Sequence, residues 1–437
     1  MNKLWTSIFL TAAAVLLLLF FSNDFGLIDI QETAIVVAIG IDTAEEGEGY
    51  DVTAQIAVPS STGSGSAGNV TVKNAQTVGE AISELNHETG WYPTLVHCKL
   101  ILLGEAVTET DVFRVLDYFL RNDAVEDSCL VAACAGTARE TLQAQSPVND
   151  ISASAIAKVL SSEAQETGLV SVTILKDFAI GYYSVGKSGF LPYISVQGEA
   201  ESQGGGGAAP TAEIDAAEEC AWLPSLKRNR WWKPKRQPLP IAAPVSSESG
   251  SQGGADSGAS GKSGSADVFQ ASETMLFYEG KQVALLSPEE TLAYNLAATD
   301  TDFAYGSVTA EQDGQETVYN LKMKIGKKKR SLTFENGMPV FTFTVRANAR
   351  LADTDRASAI LEVAKTQIAD DAILRAAEKK FEQELSSAIS KAAAAGCDLF
   401  GIKQRLYRYR YREYAAFQDS VLTAAQVHYD IRFTSLK

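Results

Sequence analysis

Residues Leu4 to Phe21 (LWTSIFLTAAAVLLLLFF) run for eighteen positions without a charge, behind a lone Lys3. As a helix this run is about 27 Å long, just enough to cross the hydrocarbon core of a bilayer. A secretory signal has a shorter apolar stretch and a small-x-small cleavage site. Here the run ends Leu-Phe-Phe-Ser-Asn-Asp, and its small residues Ala12, Ala13 and Ala14 lie inside it. The reading is an uncleaved membrane anchor over residues 1–22, with a signal segment as the alternative. Lys3 and the terminal amine keep the N-terminus cytoplasmic, while Asp24, Asp29 and Glu32 follow the span. The bulk of the chain is then extracytoplasmic, and no later segment has a comparable apolar length.

An anchored chain of 437 residues with 46% hydrophobic and 21% charged residues has the material for several folded domains. Its formal net charge of −16 excludes general nucleic-acid binding, which needs a basic footprint. The five cysteines (Cys98, Cys129, Cys134, Cys220, Cys397) form no C-x-x-C, and the three histidines (His87, His97, His428) are far apart. Neither a metal site nor a redox dithiol is expected, and no cofactor. Cys129 and Cys134 could bridge, but in an apolar run the expectation is a pair of small buried hydrophobes. No G-x-S-x-G elbow, Walker loop or H-E-x-x-H is present. Adjacent acids such as Glu45/Glu46 and Asp370/Asp371 read as solvated surface, so no catalytic residues are assigned.

Periodicity divides the remainder. Thr33–Asp42 (TAIVVAIGID) reads as a buried strand, Asp51–Val58 as its alternating hairpin partner, and Pro59–Asn69 as a loop. Val78–Glu88 predicts a helix, Leu95–Leu103 a buried strand, Thr108–Leu120 an amphipathic helix and Cys129–Cys134 a core strand. Thr137 and Glu140 form a capping box. Ser152–Glu166 reads as a helix, and Leu169–Ile180 and Phe190–Val196 as strands. Gly204–Gly207 and Ser246–Ser265 have linker composition. Beyond them, Glu279-Gly280-Lys281 marks a hairpin and Pro288 a helix start. Thr317–Ile325 and Val340–Leu351 alternate as strands, and a long helix covers about Arg356–Ala395, ending at Gly396. Asp398 then caps a second helix, and His428–Phe433 returns as a strand. The expected fold class is α+β: an N-terminal transmembrane anchor, then about three mixed α/β domains with mainly antiparallel or mixed sheets and a long C-terminal helix. The expected division is 1–22 anchor or signal, 23–148 N-terminal domain, 149–199 middle domain, 200–270 Gly/Ser linker with an insertion, and 271–437 C-terminal domain.

Three basic segments stand out from the acidic background. Ala221–Pro240 holds Trp222, Trp231 and Trp232 among Lys227, Arg228, Arg230, Lys233, Lys235 and Arg236. Tryptophan favours the bilayer interface and basic residues favour anionic headgroups, so Trp222, Trp231, Trp232, Arg230, Lys233 and Arg236 are the candidate membrane or partner contacts. Lys327–Arg330 reads as a hairpin turn kept soluble by charge. Arg405–Tyr414 (RLYRYRYREY) would pack its rings over the long helix with the arginine tips wet, or offer a docking face.

Several segments together resemble the Ger(x)C family, the C subunits of bacterial spore germinant receptors. They are E-x-A-I-V-x-A-I-G-I-D at Glu32–Asp42, Tyr50–Pro59 (YDVTAQIAVP), His97-x-Lys99 leading to Gly104-Glu105, and Phe119–Arg121. Further on they are Phe277–Leu286, Pro288–Thr291 (PEET) and Cys397–Gly401 (CDLFG). The similarity spans nearly the whole chain outside about 200–270. Members of that family are usually lipoproteins whose mature chain begins C-W-D-x-x-E; here Leu27 stands in the cysteine frame, so no thiol is available there for lipid. The resemblance implies a three-domain α+β protein on the outer face of the spore inner membrane. It would be non-enzymatic and would assemble with multi-spanning A and B subunits to support nutrient-triggered germination. The competing class is an anchored extracytoplasmic ligand- or cell-wall-binding envelope protein unrelated to germination.

Overall fold

The computed structural model describes residues 3–22, 33–44, 49–58, 66–146, 149, 151–161, 164, 167–197, 268–312, 315–354 and 368–435. The candidate contacts Trp222, Trp231, Trp232, Arg230, Lys233 and Arg236, with the rest of the 200–267 segment, lie outside these residues.

Lys3–Ser22 is one α-helix (α1) of 20 residues. Its described side chains end at Leu17, and among the described residues no helix is long and apolar enough to cross a membrane.

Beyond α1 the chain builds two sheets. In the first, strands β1 (Thr33–Thr43), β2 (Tyr50–Val58), β3 (Ser66–Ala75), β5 (Leu100–Gly104), β6 (Leu130–Cys134), β7 (Ser188–Gln197), β8 (Val268–Tyr278) and β9 (Lys281–Leu286) lie in the order β3-β2-β1-β5-β6-β7-β8-β9, and β4 (Tyr92–Thr94) pairs with β1. Its centre, β1-β5-β6-β7, is parallel; its flanks are antiparallel. Parallel strands need crossovers that cover both faces, so their strands are apolar on both sides. Leu100–Leu103 shows this: all four are fully buried. Ile101 and Leu103 enter one core, Leu100 and Leu102 the other. At roughly 1.5–3 kcal/mol per fully buried side chain, this strand contributes more than any surface pair can.

On one face lie α2 (Val78–Thr89), the helical turn α3 (Glu105–Thr108), α4 (Phe113–Arg121) and α7 (Leu175–Tyr183); on the other lie α5 (Ala138–Gln143) and α6 (Ser152–Val159). Thr77 caps α2 and Thr137 caps α5, each hydroxyl accepting from the backbone N–H three residues on.

The second sheet is antiparallel along β10 (Phe303–Gln312), β11 (Gln315–Glu335) and β12 (Met338–Thr354), with β13 (Gln426–Thr434) parallel to β12. Its core holds α8 (Pro288–Ala298) and α9 (Asp371–Ala394). Strand β8 serves both units: Met275 and Phe277 enter the first core, and Leu276 enters the second. The first sheet therefore continues across residues on both sides of 199–265.

Several expectations need correction. Leu169–Ile180 is not one strand: α7 begins at Leu175, and the β-branched run before it is extended. The helix expected over Ser152–Glu166 stops at Val159. The helix expected from Thr108 starts at Phe113, and the strand expected from Leu95 starts at Leu100 after a turn in which the Cys98 N–H donates to Leu95 O. Residues 368–370 are not helical, so α9 starts at Asp371; the earlier part of that expected helix lies outside the described residues. Ser66–Asn69, read as loop, begins β3. Lys327–Arg330 is not a turn but the middle of β11, paired with Arg346–Phe343. The turn comes at Asn336-Gly337, both with positive φ (51° and 80°), the backbone a two-residue hairpin loop demands. Cys129 and Cys134 sit at two ends of β6, about 16 Å apart at strand rise, and both are free and buried.

Candidate functional site

The chain segment after α9 organises a cleft. Gly396 (φ 72°) ends the helix, and the Cys397 N–H donates back to Ala392 O. The Asp398 N–H then donates to Ser188 Oγ at 2.8 Å, joining this corner to the start of β7. Asp398 Oδ2 accepts from the Gln404 N–H at 2.9 Å, so the carboxylate caps α10 (Ile402–Tyr409) from outside it, the N-cap position itself being Gly401. Burial pushes the Asp398 carboxyl up to about 6, against the lowering effect of the Gln404, Lys403 and Ile402 N–H groups. Its Oδ1 is buried and has no hydrogen-bond partner among the described residues.

From α10, Arg405 and Arg408 stand one turn apart, a spacing that places them on one face. From β11 comes Arg330, whose carbonyl oxygen accepts from Arg405 Nη1 at 3.0 Å. The opposite wall is Asp177, Ile180 and Gly181 of α7 with Ser188–Phe190 of β7, and the space between is about 720 Å³. Burial, and then the neighbouring Arg405 charge, hold the Arg330 guanidinium below its ordinary value.

The basic segments therefore behave differently from expectation. On β11, Lys328 and Arg330 turn inward, Lys328 Nζ donating to Thr299 O, while Lys327 and Lys329 are exposed. In Arg405–Tyr414, Leu406 is fully buried in the core and Arg405 is half-buried, while of the tyrosines Tyr407, Tyr409 and Tyr411 are exposed and Tyr414 packs against the core. Tyr407 makes edge contacts with Tyr411 and Tyr414. The alternation of basic and neutral residues on β11 was the available signal for Arg330, but four consecutive cations hid it.

Residues 27–196 match a family described as the spore germination protein N-terminal domain. Residues 272–434 match another described as spore germination B3/GerAC like, C-terminal. The chain belongs to the C-subunit family of spore germination receptors. Its role lies in spore germination. The first match begins at Leu27, the position read above as the cysteine frame of the family's lipoproteins. No curated protein matches the chain. A solved structure titled "Crystal Structure of the GerBC protein" is similar at 15% identity with a TM-score of 0.46, over 94% of this chain and 100% of that one.

In this C-subunit chain, the motifs that carry the resemblance are buried polar fixtures of the fold. Asp42, ending A-I-G-I-D, accepts from the Ala138 N–H at 2.7 Å and the Arg139 N–H at 3.0 Å, holding the N-terminus of α5. Burial raises its carboxyl above the ordinary value against those two bonds. Gly104 of the G-E turn lies so close to Asp42 Oδ1 that any side chain there would collide with it. Ser287, just before PEET, and Glu290 within it form a capping box, and the Glu290 carboxylate also accepts from Ser387 Oγ and Lys391 Nζ of α9, both at 2.6 Å. Burial opposes that charge, yet the Lys391, Ser387 and Ser287 bonds together hold Glu290 below its ordinary value. The CDLFG segment contains the Asp398–Gly401 corner. By contrast, His97 and Lys99 of H-x-K are exposed.

Proposed function

We propose that this chain is a non-enzymatic, membrane-anchored C subunit of a spore germinant receptor. It stands on the outer face of the spore inner membrane and assembles with multi-spanning A and B subunits to support nutrient-triggered germination. The observation that carries this reading is the pair of family matches, in order, over both folded parts of the chain. The chemistry of the buried carboxylates supports the absence of catalysis: Asp42, Glu290 and Asp398 are each committed to backbone N–H groups at a helix start. Copurification with a tagged chain from forespore membranes tests the assembly. Recovery of A and B subunits supports it, and recovery of neither rejects it.

Anchoring is supported by α1. A 20-residue helix is about 30 Å long, and Trp5, Phe9, Leu10, Val15, Leu16 and Leu17 are all more than half exposed along it. So large an apolar surface needs a solvent other than water. Trp91 and Tyr92, both about half exposed, lie where Tyr92 pairs with Thr33, the first residue of β1. Aromatic residues of this kind favour the interfacial layer. Intact-mass analysis of the membrane-extracted protein should therefore give a retained N-terminus and no diacylglyceryl adduct. A mass corresponding to removal before Asn23 would reject the anchor.

The basic-aromatic segment Ala221–Pro240 adds a second contact in this proposal. Deleting it should leave the thermal midpoint nearly unchanged but weaken binding of the anchorless protein to phosphatidylglycerol vesicles, more so at low salt. Full vesicle binding by the deletion variant would remove lipid from its role.

A further inference from the structure

We propose that the cleft between α10, β11 and the α7–β7 wall binds a small organic carboxylate, its acid group held by Arg330, Arg405 and Arg408 and its apolar body by the aromatic wall.

Charge carries the argument. In a chain with sixteen more acids than bases, an arginine is ordinarily within reach of a carboxylate. Three arginines here are so paired, Arg121 with Asp117, Arg346 with Asp430 and Arg410 with Glu413, and others without a salt bridge to a described residue, such as Arg114, Arg350, Arg375, Arg412 and Arg432, are exposed to water, whereas Arg330 and Arg405 are half-buried. None of Arg330, Arg405 and Arg408 makes an ion pair with a described residue. Instead two of them are driven together, Arg405 donating to the backbone of Arg330 with its charge acting against its neighbour's. Acids are near, but among the described residues none forms an ion pair with these arginines. Asp398 spends its Oδ2 on the α10 backbone, Asp300 acts on Arg330 without pairing, and Asp177 lines the far wall. Half-buried like charges without a counter-ion raise the energy of the empty site, and an anion entering between them recovers that cost. Guanidinium groups meet a carboxylate through two parallel N–H bonds, which favours a planar acid over a spherical ion.

The shape agrees. About 720 Å³ lies within the size range of small-molecule sites, and the lining is polar and apolar in about equal parts, as a ligand with an acid group and an apolar body requires. Phe190, Ile180, Leu399, Phe400 and Tyr409 give the apolar part of the lining, and four separate chain segments close around it. The Arg405 guanidinium is also braced, lying over the Phe341 ring at 6.0 Å, so part of its ordering cost is met before a ligand arrives. A partner's acidic side chain reaching into the cleft is the competing occupant. The concavity favours the small molecule, because a side chain would fill only its mouth. This inference does not depend on the assembly proposed above, and its test uses no partner.

The probe is 3-phenylpropionate, set against its neutral isostere 3-phenylpropanamide, with the full-length chain in detergent. Calorimetry and thermal unfolding should show saturable binding and a raised midpoint for the carboxylate, and at least tenfold weaker binding for the amide. Arg408→Gln should weaken the carboxylate about tenfold while leaving the ligand-free midpoint at the wild-type value, since Arg408 is exposed and makes no ion pair with a described residue. Arg405→Gln should abolish binding; because that variant also loses the bond to Arg330 O, Arg408→Gln is the deciding one. Inorganic phosphate at high concentration should compete. Equal binding of acid and amide, or carboxylate binding untouched by Arg408→Gln and by phosphate, would overturn the proposal. Failure of every probe to bind would overturn it too, and would leave a partner's acidic side chain as the occupant.

Discussion

Asn295→Leu should lower the unfolding free energy by about 2–5 kcal/mol. Asn295 is fully buried on α8 and stands in a chain of hydrogen bonds between three parts of the fold. Its Nδ2 donates to Gly168 O at 2.9 Å, and its Oδ1 accepts from Ser171 Oγ at 3.0 Å. Ser171 Oγ in turn accepts from Thr274 Oγ1 of β8, which accepts from Thr291 Oγ1 of α8. Ser171, Thr274 and Thr291 are also fully buried. Leucine keeps the branched shape but leaves the Ser171 O–H without its acceptor and the Gly168 carbonyl without its donor, each at about 1–3 kcal/mol. Gln270→Ala is the control. Its side chain meets Gln197 at 2.7 Å on an exposed edge, and its loss should stay within about 0.5 kcal/mol. Chemical denaturation of both variants decides the matter: equal losses would mean the buried chain of bonds contributes no more than a surface pair.

Thr291 of this network was legible in the sequence only as part of PEET, while Ser171 and Asn295 carried no signal, because hydrogen bonds over more than a hundred residues of separation leave no local pattern. The central strands were legible for the opposite reason. Burial on both faces forces an unbroken apolar run, and Thr33–Asp42 and Cys129–Cys134 show one. Capped helices were legible too: Thr77, Thr137 and Ser287 each sit at a helix start with an acid three residues on. Where a helix starts without a side-chain cap, as α7 does at Ile174, the β-branched residues before it were read straight through as strand. Strand β3 was missed, its start read as loop, because its first residues are Ser, Ala, Gly and Asn, which have low strand propensity; pairing with β2, and Asn69 accepting from Gln55 Nε2, override that preference. The site residues suffered most. Arg330, Arg405 and Arg408 come from segments some seventy-five residues apart, and only the return of α10 against β11 brings them to one cleft. The family motifs, by contrast, mark buried caps, so they identify the fold more than the place where a ligand or partner touches it.

Asp398→Asn should change how stability depends on pH between about 4 and 6. Burial raises the folded carboxyl from its ordinary value of 3.8 to about 6. Over that interval the folded protein retains a proton that the unfolded chain has released. With more protons bound in the folded state, stability falls as pH rises. The advantage is present in full below about pH 3.8 and is lost as pH passes 6, a change of roughly 3 kcal/mol at about 1.4 kcal/mol per unit. Asp42, also raised by burial, acts in the same direction, whereas Glu290, held low by Lys391 and Ser387, acts in the opposite one. The difference between wild type and variant isolates Asp398 from both. Asparagine keeps an oxygen that can accept from the Gln404 N–H and has no charge to bury, so the cap on α10 survives. The variant should therefore gain on the wild type from pH 4 to about pH 6 and hold that gain at pH 7 in denaturation experiments run at matched ionic strength. A difference that stays constant across that range would show that the Asp398 carboxylate is ionised throughout, and that solvent or a counter-charge reaches Oδ1 in solution.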